Sequence, residues 1–367
     1  MMRTGREREK ERLFDMHGGD VYRNHAVYDA SVNLNPLGMP EAVKQILRES
    51  VDGWARYPDP CCQELVYAIG RYYKGERQES FPSEQILCGN GAADLIFQLT
   101  AALKPKRALV TAPGFSEYER ALRAAGCEVR RCLLEAERGF APDFSELVKL
   151  AGDAELVFFC NPNNPTGILS ERPAVKQLAE ACMEAGAALV VDECFMELSD
   201  DPEGCSAVPL LSQFPNLMVL KAFTKTYAMA GLRLGFLLCG DPDVKTRMEG
   251  LRQPWTVSVP AQLAGIAALE QEEYLQEGRG LIQAERKRLF RGLSGLGLTV
   301  FPSRANYLLF SVPEEDKDLG ARLRAEGVLI RDCENFNGLE KGFYRICVGL
   351  PEQNRLLLEK MKGALRR

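Results

Sequence analysis

The sequence predicts an α/β fold, with a mostly parallel, seven-stranded sheet wrapped by helices and joined to a smaller α+β domain. Three observations predict it. Apolar runs of strand length alternate with amphipathic stretches from about residue 85 to 240, the pattern of strands connected through helices. After Pro254 that alternation stops and a long helical stretch begins. The 367 residues exceed one average domain, and 46% of them are hydrophobic, enough for a large core.

The strands expected in order are 85–88, 107–112, 128–134, 155–160, 188–192, 217–222 and 233–239. Between them, 92–103, 117–125, 144–150 and 174–185 place apolar residues at helical spacing. Ligands of such sheets bind at the carboxyl ends of the strands. Next come a helical region over 260–293, strands at 299–301 and 306–311 and a helix at 319–326. A pair of strands around Ile330 and over 344–348, then a basic terminal helix, complete the chain. The large domain is expected over 45–250, and the smaller one over 1–44 together with 251–367. The smaller domain is expected to close over a substrate and exclude water.

A net charge of -5 argues against a nucleic-acid partner. An anionic substrate must then be held by local arginines. Segment 3–12 interleaves Glu7, Glu9 and Glu11 with bases and is followed by no apolar stretch, so no secretory or transit leader is expected. No apolar run is long enough to span a bilayer, and a cytoplasmic location is the expectation. The 12 cysteines are scattered without a C-x-x-C pair, as suits reduced thiols, and Cys160 and Cys194 are read as small core residues. His17 and His25 are the only histidines, which leaves neither a zinc site nor a Ser/His/Asp triad to expect.

Four groups carry the chemistry. They are Asn161-Pro162-Asn163-Asn164-Pro165-Thr166-Gly167, Asp192-Glu193, Lys225, and Arg233, eight residues beyond the lysine. Separately they also fit an ordinary turn, a strand end meeting water and a surface lysine. Together they suit pyridoxal 5'-phosphate: Lys225 condenses with its aldehyde, Asp192 keeps its ring nitrogen protonated, Asn164 holds its ring hydroxyl and Arg233 neutralises its phosphate. Gly89-Asn90-Gly91-Ala92-Ala93 links a strand to a helix. The free backbone N–H groups at Gly91 and Ala92 then face an anion with the helix dipole behind them, a plain glycine turn being the alternative.

In order and interval this set resembles the fold type I pyridoxal phosphate enzymes, over nearly all of the chain. The resemblance implies more. Thr224 joins Arg233 at the cofactor phosphate, while Ala222 stands where the family often has a serine, so one contact is missing or supplied elsewhere. Tyr57, in Arg56-Tyr57-Pro58-Asp59-Pro60, matches a tyrosine that reaches across a dimer interface to the neighbour's cofactor phosphate, which implies a homodimer. Phe115 matches the aromatic residue that stacks on the pyridine ring, with a core phenylalanine as the alternative. Arg345 matches the position that binds a substrate anion, usually the carboxylate, and Arg331 a second arginine near a substrate phosphate. The planar fork of arginine suits either anion.

Within that family the chain is similar to histidinol-phosphate aminotransferases and to threonine-phosphate decarboxylases, and three features favour the second. His17-Gly18-Gly19 with Asn33-Leu34-Asn35-Pro36-Leu37-Gly38 resembles their N-terminal signature, and 330–336 with Gly338-Leu339 their C-terminal one. Phe195 stands three residues after Asp192, where the aminotransferases usually carry a tyrosine that bonds the ring oxygen. The resemblance implies a small phosphorylated amino acid as substrate: L-threonine O-3-phosphate, decarboxylated to (R)-1-amino-2-propanol O-2-phosphate for cobalamin biosynthesis. An aminotransferase is the alternative. His17 and Asn33 are candidates for fixing the substrate's rotation or gripping its phosphate.

Overall fold

The computed structural model of the chain describes residues 17–24, 26–73 and 80–365. Segment 3–12 and His25 lie outside them. In chain order the strands are β1 (Tyr28–Asp29), β2 (Ile86–Gly89), β3 (Arg107–Ala112), β4 (Glu128–Leu133), β5 (Leu156–Cys160), β6 (Ala188–Asp192) and β7 (Leu217–Ala222). Then follow β8 (Gly235–Cys239), β9 (Thr299–Val300), β10 (Tyr307–Ser311), β11 (Val328–Leu329), β12 (Arg331–Asp332) and β13 (Phe343–Cys347).

Strands β2 to β8 form one seven-stranded sheet in the order β2-β8-β7-β6-β5-β3-β4. Only β8 runs against its neighbours. Successive side chains of a strand point to opposite faces, and here both faces are covered. Val157 and Phe159 of β5 join Leu109, Val191 and Val219 in one core, while Leu156 and Phe158 join Val110, Val190 and Leu220 in the other. Covering both faces is why the central strands read as continuous apolar runs. The edge strand β4 instead exposes Glu128 and keeps Arg130 and Arg131 in its middle, charges that blunt an open edge.

The second sheet has four antiparallel strands, β12-β13-β10-β9. Helices Glu272–Gly295, Leu319–Ala325 and Pro351–Ala364 supply its core through Leu289, Leu293, Leu323, Leu357 and Met361, packed with Leu308, Phe310 and Ile346. The N-terminal segment is tied to this part of the chain: β1 pairs in parallel with β11, and the Cys347 N–H donates to the Ala30 carbonyl at 2.8 Å.

Two expectations need correcting. The helical region over 260–293 is two helices, Val259–Leu269 and Glu272–Gly295, broken at Gln271, whose backbone leaves helical values at φ -97°, ψ 59°. The break carries no proline or glycine; Ala261, Ala264 and Ala268 before it and Leu275 after it pack in the core of the large sheet, and only further along do Leu289 and Leu293 reach the small one. The strand expected from Arg233 begins at Gly235, because Arg233 takes the left-handed φ of 57°. Gly235 has a steric reason: a Cβ there would lie 2.8 Å from the Ala92 nitrogen and 3.0 Å from the Lys221 carbonyl oxygen.

Candidate active site

The register of the large sheet gathers the sequence-predicted residues at one edge. Cys160 is opposite Asp192, Asp192 is opposite Leu220, and Gly235 is paired with both Ala222 and Gly89. At this edge β6 ends in Asp192, and the segments that leave β2, β5 and β7 carry Gly91, Asn164 and Lys225. They open on a cavity of about 410 Å³ lined by His17, Asn33, Ala92, Phe115, Asn164, Asp192, Thr224, Lys225, Arg233, Arg331 and Arg345. Of the residues singled out from the sequence, Gly91 lies just behind this lining and Tyr57 is elsewhere.

One end of the cavity is a cradle for an anion. Gly91 precedes the helix Ala92–Leu103, with φ 86° and no side-chain cap. The first N–H groups of that helix therefore have no intrahelical partner and carry the positive end of its dipole. The guanidinium of Arg233 lies across Gly91: a Cβ at Gly91 would sit 2.6 Å from Nη2. The left-handed backbone of Arg233, braced by Nη1 donating to the Ala230 carbonyl at 3.2 Å, puts it there. Thr224, buried on the floor, brings a hydroxyl, and Ala222 brings none.

Asp192 lies at the end of β6, and both its oxygens accept hydrogen bonds. Oδ1 takes the Cys194 N–H at 2.9 Å and Oδ2 the Tyr118 hydroxyl at 2.5 Å. Phe115 precedes the helix Ser116–Ala124 and meets Tyr118 edge-on at 5.6 Å. Burial pushes the thiols of Cys160 and Cys194 upward, so both line the wall as neutral groups.

Lys225 sits in the short helix Phe223–Thr226 after β7. The N-terminal segment holds that turn, since the Asn35 N–H donates to the Lys225 carbonyl at 3.0 Å and its amide to the Thr226 carbonyl at 3.1 Å. Burial first, then the positive charge of Arg345, brings the Lys225 amine down to about 8. An amine in that range is a usable nucleophile near neutrality.

Arg331 and Arg345 are opposite each other on β12 and β13, and directly opposed residues of an antiparallel pair point to the same face. Arg345 is buried; it donates to Asn164 Oδ1 and to the Ser31 carbonyl at 2.8 Å, and stands 5.6 Å from the centre of the Tyr307 ring. Asn33, with its amide oxygen turned toward Arg345, accepts from Nε at 3.2 Å and Nη1 at 3.3 Å. Arg331 donates to Asn335 Oδ1 at 2.7 Å and lies 5.1 Å from the Phe336 ring. At the mouth, His17 Nε2 is 3.0 Å from Glu117 Oε1, and its ring tilts against Phe115 at 5.9 Å.

Tyr57 is not brought to this cavity. It is 79% exposed and stacks on Trp255 at 4.5 Å, with Trp255 itself held at a φ of 61°. Sequence reasoning missed Tyr118, Glu117, Ser31 and Tyr307. Tyr118 was findable, because it stands one helical turn beyond Phe115, where i and i+3 side chains share a face. A second missed group lies behind the site: Lys221, 2% exposed, is 2.7 Å from both Glu193 Oε2 and Glu197 Oε1.

The residues present fit pyridoxal phosphate. An aldehyde meets an amine of lowered basicity, a pyridine nitrogen meets a carboxylate held in place by a hydrogen bond to each oxygen, and a phosphate meets a cradle that a single Cβ would fill.

Comparison with known proteins agrees. A family model described as Aminotransferase class I and II matches residues 27–361. A threonine-phosphate decarboxylase of Salmonella typhimurium is 38% identical over 358 residues, covering 95% of this chain and 96% of the relative. A histidinol-phosphate aminotransferase of Desulfitobacterium hafniense is 37% identical, covering 94% and 95%. Among solved structures, the histidinol-phosphate aminotransferase of Clostridium acetobutylicum superposes with a TM-score of 0.84 at 28% identity, over 92% of this chain and 98% of that one. The fold is shared also with L-threonine-O-3-phosphate decarboxylase of Porphyromonas gingivalis, at a TM-score of 0.80 and 24% identity over 92% and 99% of the two chains. Among the described residues no helix is long and apolar enough to cross a membrane.

Proposed function

Because the chain belongs to the aminotransferase class I and II family, we propose that it is a pyridoxal phosphate enzyme that decarboxylates L-threonine O-3-phosphate. The product is (R)-1-amino-2-propanol O-2-phosphate, used in cobalamin biosynthesis. The observation that carries the choice of substrate is the pairing of Arg331 with Arg345 on adjoining strands. Such residues have Cα atoms about 5 Å apart. Two guanidinium forks lining one cavity suit a small molecule that bears a carboxylate and a phosphate on neighbouring carbons. Histidinol phosphate has no carboxylate.

The residues divide the work. Bound in the cavity, the cofactor supplies an aldehyde that captures amines and a protonated ring that accepts an electron pair. Lys225 would hold it through that aldehyde, leaving its amine beside Cα once the substrate is bound. Arg345 grips the carboxylate beside Asn164, Arg331 the phosphate, and His17 and Asn33 complete the grip. Held at both anions, the substrate would be fixed in one rotation about Cα, and that rotation decides whether the bond to the carboxylate is the one aligned to give up its electron pair, with carbon dioxide as the leaving group. Lys225, released and protonated, returns a proton to Cα. Phe195 brings no donor toward the ring oxygen, in keeping with a site that does not need the aminotransferase's proton economy.

The same reading extends to assembly. We take the exposed Tyr57–Trp255 stack to reach the cradle of a second copy, making a homodimer with shared sites, and the enzyme to be cytoplasmic. We take residues 45–250 to be the body of the large domain, joined by the helix Val259–Leu269 through Ala261, Ala264 and Ala268, and the part built on the second sheet to be the small domain that closes over the substrate.

The test is comparative. Cofactor-loaded protein is given threonine O-phosphate alone, then histidinol phosphate with 2-oxoglutarate, and carbon dioxide and glutamate are followed. Carbon dioxide without any keto acid is the expected result. Glutamate without carbon dioxide would put an aminotransferase in its place, the reading favoured by the 37% identical relative.

A further inference from the structure

We propose that Asn337 is a positioning residue: its bond to Glu119 latches the loop that clamps Arg331 onto the helix that follows Phe115, and so sets how tightly the phosphate end of a substrate is held. The inference rests on the reading of Arg331 given above, and Asn337 itself does not line the cavity.

The loop is residues 333–339, between β12 and β13. On one side it clamps Arg331, which donates to Asn335 Oδ1 at 2.7 Å and lies 5.1 Å from the centre of the Phe336 ring. On the other it docks on the part of the chain built on the large sheet, at three points. Cys333 and Phe336 share a buried apolar cluster with Leu134 and Phe140, which follow β4. Gly338, at φ 86°, lies against the backbone just past β3, where an added Cβ would be 3.5 Å from the Pro113 nitrogen. Asn337 Nδ2 donates to Glu119 Oε1 at 2.8 Å.

The two halves of the latch are built differently. Glu119 is fixed without Asn337: Arg131 of β4 donates to its two oxygens from Nε at 2.7 Å and from Nη2 at 2.6 Å, and Arg123 donates to Oε2 at 2.8 Å. A paired arginine fork fixes direction as well as distance. All three residues belong to the large-sheet part, so the acceptor keeps its place whether or not the loop is docked. Asn337 arrives from the other part and is exposed, so its bond adds nothing to a core. Apolar packing is non-directional, and Gly338 brings no side chain; the Asn337 bond gives the docked loop a direction. Glu119 stands one turn past Phe115 on the helix Ser116–Ala124. The bond therefore ties the holder of Arg331 to the element that begins beside the ring expected to stack on the cofactor, and the spacing between phosphate grip and cofactor plane follows from it.

The experiment uses the full chain with Asn337→Ala, and with Asn337→Gln, which keeps the donor, as its control. In the apoprotein the bonded amides of Cys333, Phe336 and Leu339 should exchange hydrogen about 3- to 10-fold faster in the alanine variant, while β13 keeps its rate. In the cofactor-loaded protein the KM for threonine O-phosphate should rise by the same factor with kcat within about twofold, because the grip is loosened and Lys225 is untouched. Affinity for pyridoxal phosphate, read by fluorescence titration, should not change, and Asn337→Gln should recover most of the KM. A loop that exchanges as in the wild type overturns the inference. So does faster exchange with an unmoved KM, or a KM that rises only together with a loss of cofactor affinity. Wild-type protein that releases no carbon dioxide from threonine O-phosphate overturns the functional reading instead, and exchange of the loop then decides on the latch by itself.

Discussion

The Nζ of Lys225 lies 6.0 Å from the centre of the Phe195 ring, so the amine proposed to capture the cofactor looks onto an apolar face with no donor. Phe195 in turn packs edge-on against Tyr307 at 5.1 Å. Phe195→Tyr adds a hydroxyl on the ring-oxygen side of the site. A donor to that oxygen competes with the proton held between it and the Lys225 nitrogen, so the visible titration midpoint should fall by about one unit. The same variant should form measurable glutamate from an amino donor and 2-oxoglutarate. An unchanged midpoint would show that the hydroxyl does not reach the ring.

Gly91→Ala tests the cradle. The new Cβ would lie 2.6 Å from Arg233 Nη2 on a backbone at φ 86°, ψ 165°, a conformation almost confined to glycine that costs an L-residue about 1–3 kcal/mol. Arg233 must swing away, and the affinity for pyridoxal phosphate should drop at least about tenfold while the apoprotein loses about 1–3 kcal/mol in chemical denaturation. Equal binding by the variant would place the phosphate elsewhere.

The rate at which the apoprotein captures pyridoxal phosphate should climb with pH up to about 8 and then level, following the neutral fraction of Lys225. Arg345→Gln removes a positive neighbour, so the break should move to higher pH and capture at pH 7 should slow. Stopped-flow absorbance reads both. The sign for stability follows from the same shift. The folded amine titrates near 8 and the unfolded one near the ordinary 10.5, so between these values the unfolded chain binds more protons and stability rises with pH. The cost is complete below about 8. Lys225→Met should therefore stabilise the apoprotein at pH 7 by up to about 3 kcal/mol in urea, and by nothing above the unfolded value.

Lys221→Met should cost about 3–5 kcal/mol, because it leaves Glu193 and Glu197 without their cation. Glu193 is fully buried and also takes the Ser206 hydroxyl at 2.7 Å. Adding Glu193→Gln to that variant should recover part of the loss. Denaturation curves of the single and double variants decide it; a single variant as stable as the wild type would mean that water reaches the carboxylates.

Much of the fold was legible because the strands of a doubly covered sheet are apolar throughout. The runs at 107–112, 188–192 and 217–222 coincide with β3, β6 and β7. What periodicity did not disclose was the break at Gln271, since both helices have helix-forming sequences and both contribute to the large-sheet core, the second through Leu275. The start of β8 was missed for a related reason: Arg233 looks like a strand residue until its guanidinium has to cross Gly91.

The sequence by itself determined the chemistry of the candidate site. Lysine, aspartate, asparagine and arginine at their intervals are legible because each reacting group of the cofactor needs one particular functional group, and residue identity alone reports that. Only the tertiary structure decided how those groups are tuned and aimed. Tyr118 on Asp192, Asn33 and Ser31 on Arg345, and Arg331 opposite Arg345 join residues far apart in the chain or placed by strand register. Hydrogen bonding and burial depend on distance in space. Residue order does not encode that distance until the sheets have packed.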